Sequence, residues 1–215
     1  FWIGNSGFYI KHNDYTVFID PFRVSDSMKE KADLILITHA HFDHWSPKDI
    51  DRISKDGTKM VVAPLCVGSE KYKNVTHSKP GFDATIDGIR VSAIPAYNVK
   101  QERLQFHPRS NDWVGYIMEI EGMRVYHAGD TDFIPEMKGL KDIDVALLPM
   151  GGTYTMDTDE MIEAAKAIRP RLVVPIHYKD QLGKTGAEMA EKKLKEHLDN
   201  VLLMREVQPP TYSFS

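Results

Sequence analysis

The sequence Thr38-His39-Ala40-His41-Phe42-Asp43-His44 directly follows an unbroken apolar run, Leu34-Ile35-Leu36-Ile37. The run is short and contains β-branched side chains, as is typical of a buried strand. Its three histidines and its carboxylate therefore fall on the loop that leaves the carboxyl end of the strand. Imidazole and carboxylate are ligands that zinc and similar divalent metals prefer. Four of them exceed what one tetrahedral ion takes from a local loop, so the sequence predicts two metal ions.

Two further strand-like segments end in side chains of the same kind. Asp130, in His127-Ala128-Gly129-Asp130, follows one of them, and His177 ends the other, an apolar run over 172–176. Ligands at the tips of three apolar strands predict convergence at one edge of the core. The alternative, a solvated polar loop at 38–44, leaves the matching ends of the other strands unexplained.

The order of these motifs, HxHxDH, then the aspartate of HAGD, then a lone histidine, resembles the metallo-β-lactamase fold superfamily. The similarity extends over nearly the whole chain. Three further segments resemble small metal-dependent hydrolases, including ascorbate-phosphate lactonase-like proteins: Phe18-Ile19-Asp20-Pro21, Tyr126-His127-Ala128-Gly129-Asp130-Thr131 and Gly151-Gly152-Thr153-Tyr154. The resemblance implies an α/β fold, a four-layer αββα sandwich, in one hydrolase domain spanning residues 1–215.

The resemblance also implies a ligand set for two ions. The first ion would be held by His39, His41 and a third histidine, and the second by Asp43, His44 and His177, with Asp130 bridging both. A metal-bound hydroxide would attack a carbonyl or phosphoryl group, and Asp43 would orient it or carry a proton to the leaving group. Zinc is the expected ion, with manganese or iron as alternatives, because mixed oxygen and nitrogen ligands discriminate poorly.

The resemblance implies a histidine as the third ligand of the first ion, but this chain has Asn98 at that position. An amide oxygen is a poorer zinc ligand than imidazole. We predict that His107 takes the place, since Pro108 restricts its backbone to extended geometry. The alternative is that His107 lines the substrate pocket and the first ion is weakly held.

Several residues are predicted to act around the metal ions without binding them. Asp20 ends a strand before Pro21, and the resemblance favours a contact that fixes the tautomer of a ligating histidine over a simple turn. His127 is predicted to support the structure or a ligand. Cys66 has no neighbouring base and is predicted to be a small core residue.

The polar segment from Asn98 to Asp112 shows no apolar period and is predicted to form a surface loop, a candidate lid. Arg103 and Arg109 either bind substrate or are merely solvated; if they face the metal ions, they favour an anionic substrate. Tyr154 either binds substrate or packs on the helix that follows.

Local patterns predict most of the remaining elements. A hairpin is predicted over Phe1–Ile10 and Thr16–Asp20, and two more with turns at Asp87-Gly88 and Glu121-Gly122. With one clear helix, the first half is therefore predicted to be mostly antiparallel sheet. The predicted helices begin at the caps Ser46, Asp157 and Thr185, and a last strand is predicted over Val201–Arg205.

Composition narrows the function further. The chain of 215 residues is 42% hydrophobic with a formal charge of −4, which argues against a dedicated nucleic-acid binder. A single cysteine excludes an internal disulfide and favours a cytoplasmic location. No apolar run approaches the roughly 18 residues of a membrane span.

Two other functions are compatible with the fold that the motifs imply. A di-iron redox protein would carry an acidic residue in place of His41, and a non-catalytic metal-binding member would lose ligands that are present here. Among hydrolases, the lack of a basic face and of the long insert found in related nucleases favours a small or medium ester, lactone or phosphodiester.

Overall fold

The computed structural model describes residues 1–207, which divide into two compact units. Unit 1 contains residues 1–77 and the described residues after 203, and unit 2 contains residues 78–203. Each unit holds one six-stranded sheet. The predicted α/β class with two sheets is confirmed, while the prediction of a single domain over 1–215 stays a prediction.

The sheet of unit 1 combines an antiparallel edge with a parallel interior. Its strands, in spatial and chain order, are β1 (Trp2–Gly4), β2 (Gly7–His12), β3 (Tyr15–Ile19), β4 (Leu34–Ile37), β5 (Lys59–Val62) and β6 (Val75–His77). Strands β1 to β3 pair antiparallel, and β3 to β6 pair parallel. Three of the five pairings in this sheet are parallel, so the antiparallel pairing predicted for the first half of the chain holds for β1 to β3 and not for β3 to β6.

Strand β4 lies in the interior of this sheet, and all four of its residues are fully buried. Burying each Leu or Ile side chain contributes about 1.5–3 kcal/mol. Because β4 is parallel to both neighbours, the loops after β3 and β4 leave the same edge of the sheet. Asp20 and residues 38–44 therefore lie together at that edge.

Two local predictions in unit 1 need correction. The stretch Phe1–Ile10 contains two strands, because the chain turns at Asn5, whose φ of 47° is left-handed. Helix α1 (Pro47–Ile53) begins after Ser46 as predicted, but the Ser46 hydroxyl donates to the Asp49 carboxylate and does not cap the backbone.

The sheet of unit 2 has the order β7 (Asp83–Ile86), β8 (Ile89–Pro95), β9 (Val114–Ile120), β10 (Met123–His127), β11 (Val145–Pro149) and β12 (Leu172–Ile176). Strands β7 to β10 are antiparallel, and β10 to β12 are parallel. Both predicted hairpins are confirmed, with left-handed φ at Asp87, Gly88, Glu121 and Gly122, as a type I′ turn requires. The carboxyl ends of β10, β11 and β12 share one edge, where Asp130 and His177 follow.

Two α-helices belong to unit 2. Helix α2 (Thr158–Ile168) has the predicted capping box between Asp157 and Glu160. Helix α3 (Lys179–His197) begins earlier than the predicted Thr185 cap and is interrupted at Gly183. The predicted strand Val201–Arg205 is absent, because only Val201 forms a bridge, to Val173. No helix within residues 1–207 is both long and apolar enough to cross a membrane.

Candidate metal centre

Unit 1 presents three histidines and one carboxylate on the loop after β4. His39 and His44 are buried, and His41 and Asp43 are half-buried. His39 Nε2 lies 3.1 Å from His41 Nδ1, and His44 Nε2 lies 3.7 Å from Asp43 Oδ2. These short separations between candidate ligand atoms are typical of side chains that share a cation.

Asp20 determines the orientation of His44. Its buried carboxylate accepts hydrogen bonds from the Thr38 backbone N–H at 2.8 Å, the Thr38 hydroxyl at 2.6 Å and His44 Nδ1 at 2.8 Å. Because an ionised carboxylate only accepts, His44 Nδ1 carries the proton and Nε2 presents its lone pair. The sequence predicts such a contact for Asp20, and its effect on a metal ion stays a prediction.

Asp20 is also close enough to His39 and His44 for a single ion to touch all three, since their candidate atoms lie within 4.8 Å of one another. Both oxygens of Asp20 already accept from Thr38 and His44, however. We therefore assign Asp20 as a hydrogen-bond partner of the ligands.

The Thr38 hydroxyl connects Asp20 to His39 by two hydrogen bonds. Its hydroxyl proton goes to Asp20, so its oxygen accepts from His39 Nδ1 at 3.0 Å. His39 Nε2 then faces His41 Nδ1 with its lone pair. Two nitrogen ligands on a tetrahedral ion at about 2.0–2.1 Å are about 3.3–3.4 Å apart, close to the separation found here. The side chains therefore fit a bound divalent metal.

Asn5 is a residue of this site for which the sequence predicts no role. Its Nδ2 donates to Asp43 Oδ2 at 3.0 Å. In the sequence it lies in Gly4-Asn5-Ser6, at the turn between β1 and β2. The Asn5 amide therefore helps to orient the Asp43 carboxylate.

Unit 2 presents a second group around Asp130. Asp130 Oδ2 lies 3.2 Å from His177 Nε2 and 3.4 Å from His107 Nε2, and all three residues are buried. The structure therefore brings together His107, Asp130 and His177, as the sequence predicts for metal ligands of this part of the chain.

The backbone around His177 is shaped for this placement. His177 has a left-handed φ of 50°, which is uncommon for a residue other than glycine and is found often at functional sites. Gly151, after the neighbouring strand β11, allows its close approach, because a Cβ there would lie 2.5 Å from the His177 carbonyl oxygen. The glycine is required for this packing and not for a turn.

His107 is held in place by Asn98. Asn98 Oδ1 lies 3.0 Å from the His107 backbone nitrogen and 2.9 Å from its Nδ1. Asn98 Nδ2 donates to Asp132 at 3.0 Å and to the Tyr154 carbonyl at 2.9 Å. The oxygen and the nitrogen of the Asn98 side chain both form hydrogen bonds with protein groups, so we do not assign Asn98 as a metal ligand.

The segment from 98 to 112 is a surface loop, as predicted, and most of its residues are exposed or half-buried. Three of its polar side chains, Asn98, Arg103 and His107, are nevertheless about 2% exposed or less, which its polarity does not predict. Asp132, for which the sequence predicts no role, accepts from Asn98, from the backbone of Val99 and Lys100, and from Arg103. Asp132 thus provides hydrogen-bond partners for polar groups of this segment that would otherwise require solvent.

The predicted substrate-binding cations already have protein partners. Arg103 contacts Asp132 at 3.2 Å and Glu160 at 2.6 Å and also donates to the Thr155 carbonyl. Arg109 is paired with Glu136 at 3.1 Å and lies over the Tyr97 ring. These contacts favour a structural role for Arg103, and a role in substrate binding stays a prediction for both.

Two other predicted residues occupy distinct places in unit 2. Tyr154 is 41% exposed, and its ring packs edge-on against Phe106 with centroids 4.8 Å apart. His127 is buried, and its Nδ1 accepts from the Gly129 backbone N–H at 3.1 Å. His127 therefore shapes the turn that leads to Asp130.

Cys66 is buried in the hydrophobic core of unit 1. Burial, with a smaller effect of the Asp20 charge, raises the pKa of the Cys66 thiol to about 12. The thiol is therefore protonated at neutral pH, as expected of a core residue and not of a nucleophile.

Comparison with known proteins identifies relatives that match most of the chain. The sequence model of a β-lactamase superfamily domain matches residues 1–177. A UPF0173 metal-dependent hydrolase from Thermoplasma acidophilum is 33% identical over 189 residues, covering 82% of this chain and 81% of that protein. A second, from Pyrococcus horikoshii, is 35% identical over 192 residues, covering 82% and 83%. The crystal structure of a metal-dependent hydrolase from Parabacteroides distasonis matches with a TM-score of 0.84 at 35% identity, covering 96% of this chain and 92% of that one.

Proposed function

This chain belongs to the β-lactamase superfamily, as a metal-dependent hydrolase of the metallo-β-lactamase fold, and we propose that it works with two divalent ions, zinc first among them. The bond cleaved is an ester, lactone or phosphodiester of a small or medium substrate. His39, His41 and His107 would hold the first ion. Asp43, His44 and His177 would hold the second, and Asp130 would contribute to both.

The observation that carries this proposal is the shared arrangement of three histidines. His39, His44 and His107 each turn Nδ1 toward an acceptor oxygen, on Thr38, Asp20 and Asn98 respectively. Such a partner fixes the tautomer so that Nε2 is available to a metal ion, and it is a regular feature of metal-ligating histidines. Solvated histidines would not require three separate buried acceptors.

Zinc ions bound there would supply a water whose pKa is lowered to near 7 and would polarise the oxygen of the scissile group. The chain would supply the remaining functions. Asp43, which accepts a hydrogen bond from Asn5, would position the attacking water or accept its proton for transfer to the leaving group. The cations of the 98–112 segment are paired with carboxylates, so an anionic substrate is not a requirement of the proposal.

Metal content tests the ligand assignment directly. Protein purified without chelators and supplied with excess zinc should contain close to two ions per chain by elemental analysis. His107→Ala should lose one ion even with excess zinc, whereas Asn98→Ala should retain two ions when zinc is in excess. Full occupancy in His107→Ala refutes its assignment as a ligand, and fewer than one ion in the wild type refutes the two-metal proposal.

Activity is tested on the same preparations. The zinc-loaded, manganese-loaded and iron-loaded proteins should be compared on a lactone panel, bis-nitrophenyl phosphate and phospholipid-like diesters. Hydrolysis that disappears with a chelator and returns with metal supports the proposal. Metal-loaded protein that cleaves none of these classes while showing oxygen-dependent redox activity would favour the di-iron alternative.

A further inference from the structure

We propose that Asp132 and Asn98 form a hydrogen-bonded relay that sets the tautomer of His107, with the proton on Nδ1 and the lone pair on Nε2. This inference deepens the proposed function, in which His107 is a metal ligand. The tautomer itself is a property of the metal-free protein, and it can be measured without turnover.

The relay begins at Asp132, whose side chain is fully buried. Its partners are Asn98 Nδ2 at 3.0 Å, the backbone nitrogens of Val99 at 2.8 Å and Lys100 at 3.0 Å, and the Arg103 guanidinium at 3.2 Å. Backbone N–H groups and guanidinium only donate. Asp132 is therefore the acceptor in every one of these contacts.

Asp132 in turn fixes which way the Asn98 amide faces. The nitrogen of that amide lies between two acceptors, the Asp132 carboxylate and the Tyr154 carbonyl oxygen. Turning the amide over would place its oxygen against both acceptors and its NH₂ against the His107 backbone N–H. The hydrogen-bonding partners therefore determine this orientation, which the shape of the side chain alone would leave ambiguous.

The orientation of Asn98 then determines the protonation of His107. Asn98 Oδ1 has no proton, so His107 Nδ1, 2.9 Å away, must donate. The same oxygen accepts from the His107 backbone nitrogen at 3.0 Å, and the Asn98 nitrogen donates to the His107 carbonyl at 2.9 Å. Ring and backbone are thus held together, and Nε2 is directed to Asp130 at 3.4 Å.

Asp132 and Asn98 are positioning residues in this proposal, because neither has to touch metal or substrate. Their hydrogen bonds connect the polar 98–112 segment to Asp132, which lies two positions after Asp130.

The tautomer can be read from long-range ¹H–¹⁵N correlation NMR of the metal-free, ¹⁵N-labelled protein at a pH where the ring is neutral. The His107 signals are assigned by their loss in His107→Gln. The wild type should show a protonated Nδ1 and an unprotonated Nε2. Asn98→Ala removes the acceptor and should give a mixture of tautomers. Asp132→Asn allows the Asn98 amide to turn over and should do the same.

Zinc affinity of the same variants gives the second readout. Loss of a hydrogen-bond partner of a metal ligand typically weakens binding about 10–100-fold, and we expect this for one ion in Asn98→Ala and Asp132→Asn. Glu160→Gln is the matched control, because it changes a carboxylate that contacts Arg103 outside the relay. It should leave both the His107 tautomer and zinc affinity unchanged.

A protonated Nε2 as the main neutral form in the wild type overturns the relay, as do unchanged tautomers in folded Asn98→Ala. If Asp132→Asn fails to fold, Asn98→Ala still decides the matter. An inactive protein with the expected tautomer would count against the proposed function and not against the relay.

Discussion

Replacing Asp20 by Asn exchanges one carboxylate oxygen for an NH₂ group and should weaken the binding of both proposed metal ions. The Asp20 carboxylate is fully buried and accepts three hydrogen bonds, two from Thr38 and one from His44. An NH₂ group in place of Oδ1 would face the Thr38 backbone N–H, donor against donor. The amide should therefore place its nitrogen at the Oδ2 position, toward the Thr38 hydroxyl and His44.

With the amide in that orientation, donor and acceptor exchange roles in the hydrogen bonds that connect Asp20 to His44 and, through Thr38, to His39. His44 Nδ1 becomes an acceptor and its proton moves to Nε2. The Thr38 hydroxyl accepts from the new amide and turns its own proton toward His39 Nδ1, so His39 is reversed as well. Each reversed histidine should weaken its ion about 10–100-fold, or about 1.4–2.8 kcal/mol. The free energy of unfolding of the metal-free protein should fall by about 1–3 kcal/mol.

Competition with a chromophoric zinc chelator measures the two affinities, and denaturant unfolding measures the stability. Asp33→Asn is the matched control, since Asp33 also accepts a backbone N–H in unit 1 and pairs with Lys55 but contacts no histidine. The control should lose some stability and keep both zinc affinities. A folded Asp20→Asn variant that binds two ions as tightly as the wild type would refute the reasoning.

Three further predictions concern other positions. Asp130→Asn should lower both metal content and turnover, as measured by elemental analysis and initial rates, and unchanged values would contradict its bridging role. Gly151→Ala should lower the free energy of unfolding by about 1–3 kcal/mol, because its Cβ would meet the His177 carbonyl at 2.5 Å; Gly139→Ala, with nothing within 4 Å, should change it by less than about 0.5 kcal/mol. Because burial raises the pKa of Cys66 to about 12, alkylation at pH 8 should be slow until denaturant is added, and Cys66→Ser should keep its turnover.

The sequence is a good predictor where the determining interactions are local. Strand β4 is recognised because four consecutive apolar side chains leave no polar face, and the capping box of α2 involves residues only three apart. The turns at Asp87-Gly88 and Glu121-Gly122 follow from the backbone preferences of two residues. The same logic places the HxHxDH histidines on the loop after β4.

The burial of Asn98, Arg103 and His107 within the 98–112 segment was not predictable in this way. Its polar groups are satisfied by Asp132, more than twenty residues further along the chain, and by Glu160 on α2. A local pattern of charge indicates that a segment needs hydrogen-bond partners, but not whether solvent or protein provides them. The missing strand at 201–205 is a similar case, since apolar residues there find a sheet partner only at Val201.

The candidate ligands on the loop after β4 are therefore recognised from a local motif, whereas the protonation of the ligating histidines depends on residues elsewhere in the chain. The acceptor for His44 and, through Thr38, for His39 is one carboxylate, Asp20, which in the proposed assignment serves one ligand of each ion. The acceptor for His107 is Asn98, which serves one ligand of the first ion only. Asp20→Asn should consequently weaken both ions, and Asn98→Ala only one. Equal losses of both ions in the two variants would mean that the histidines are coupled by some path other than these hydrogen bonds.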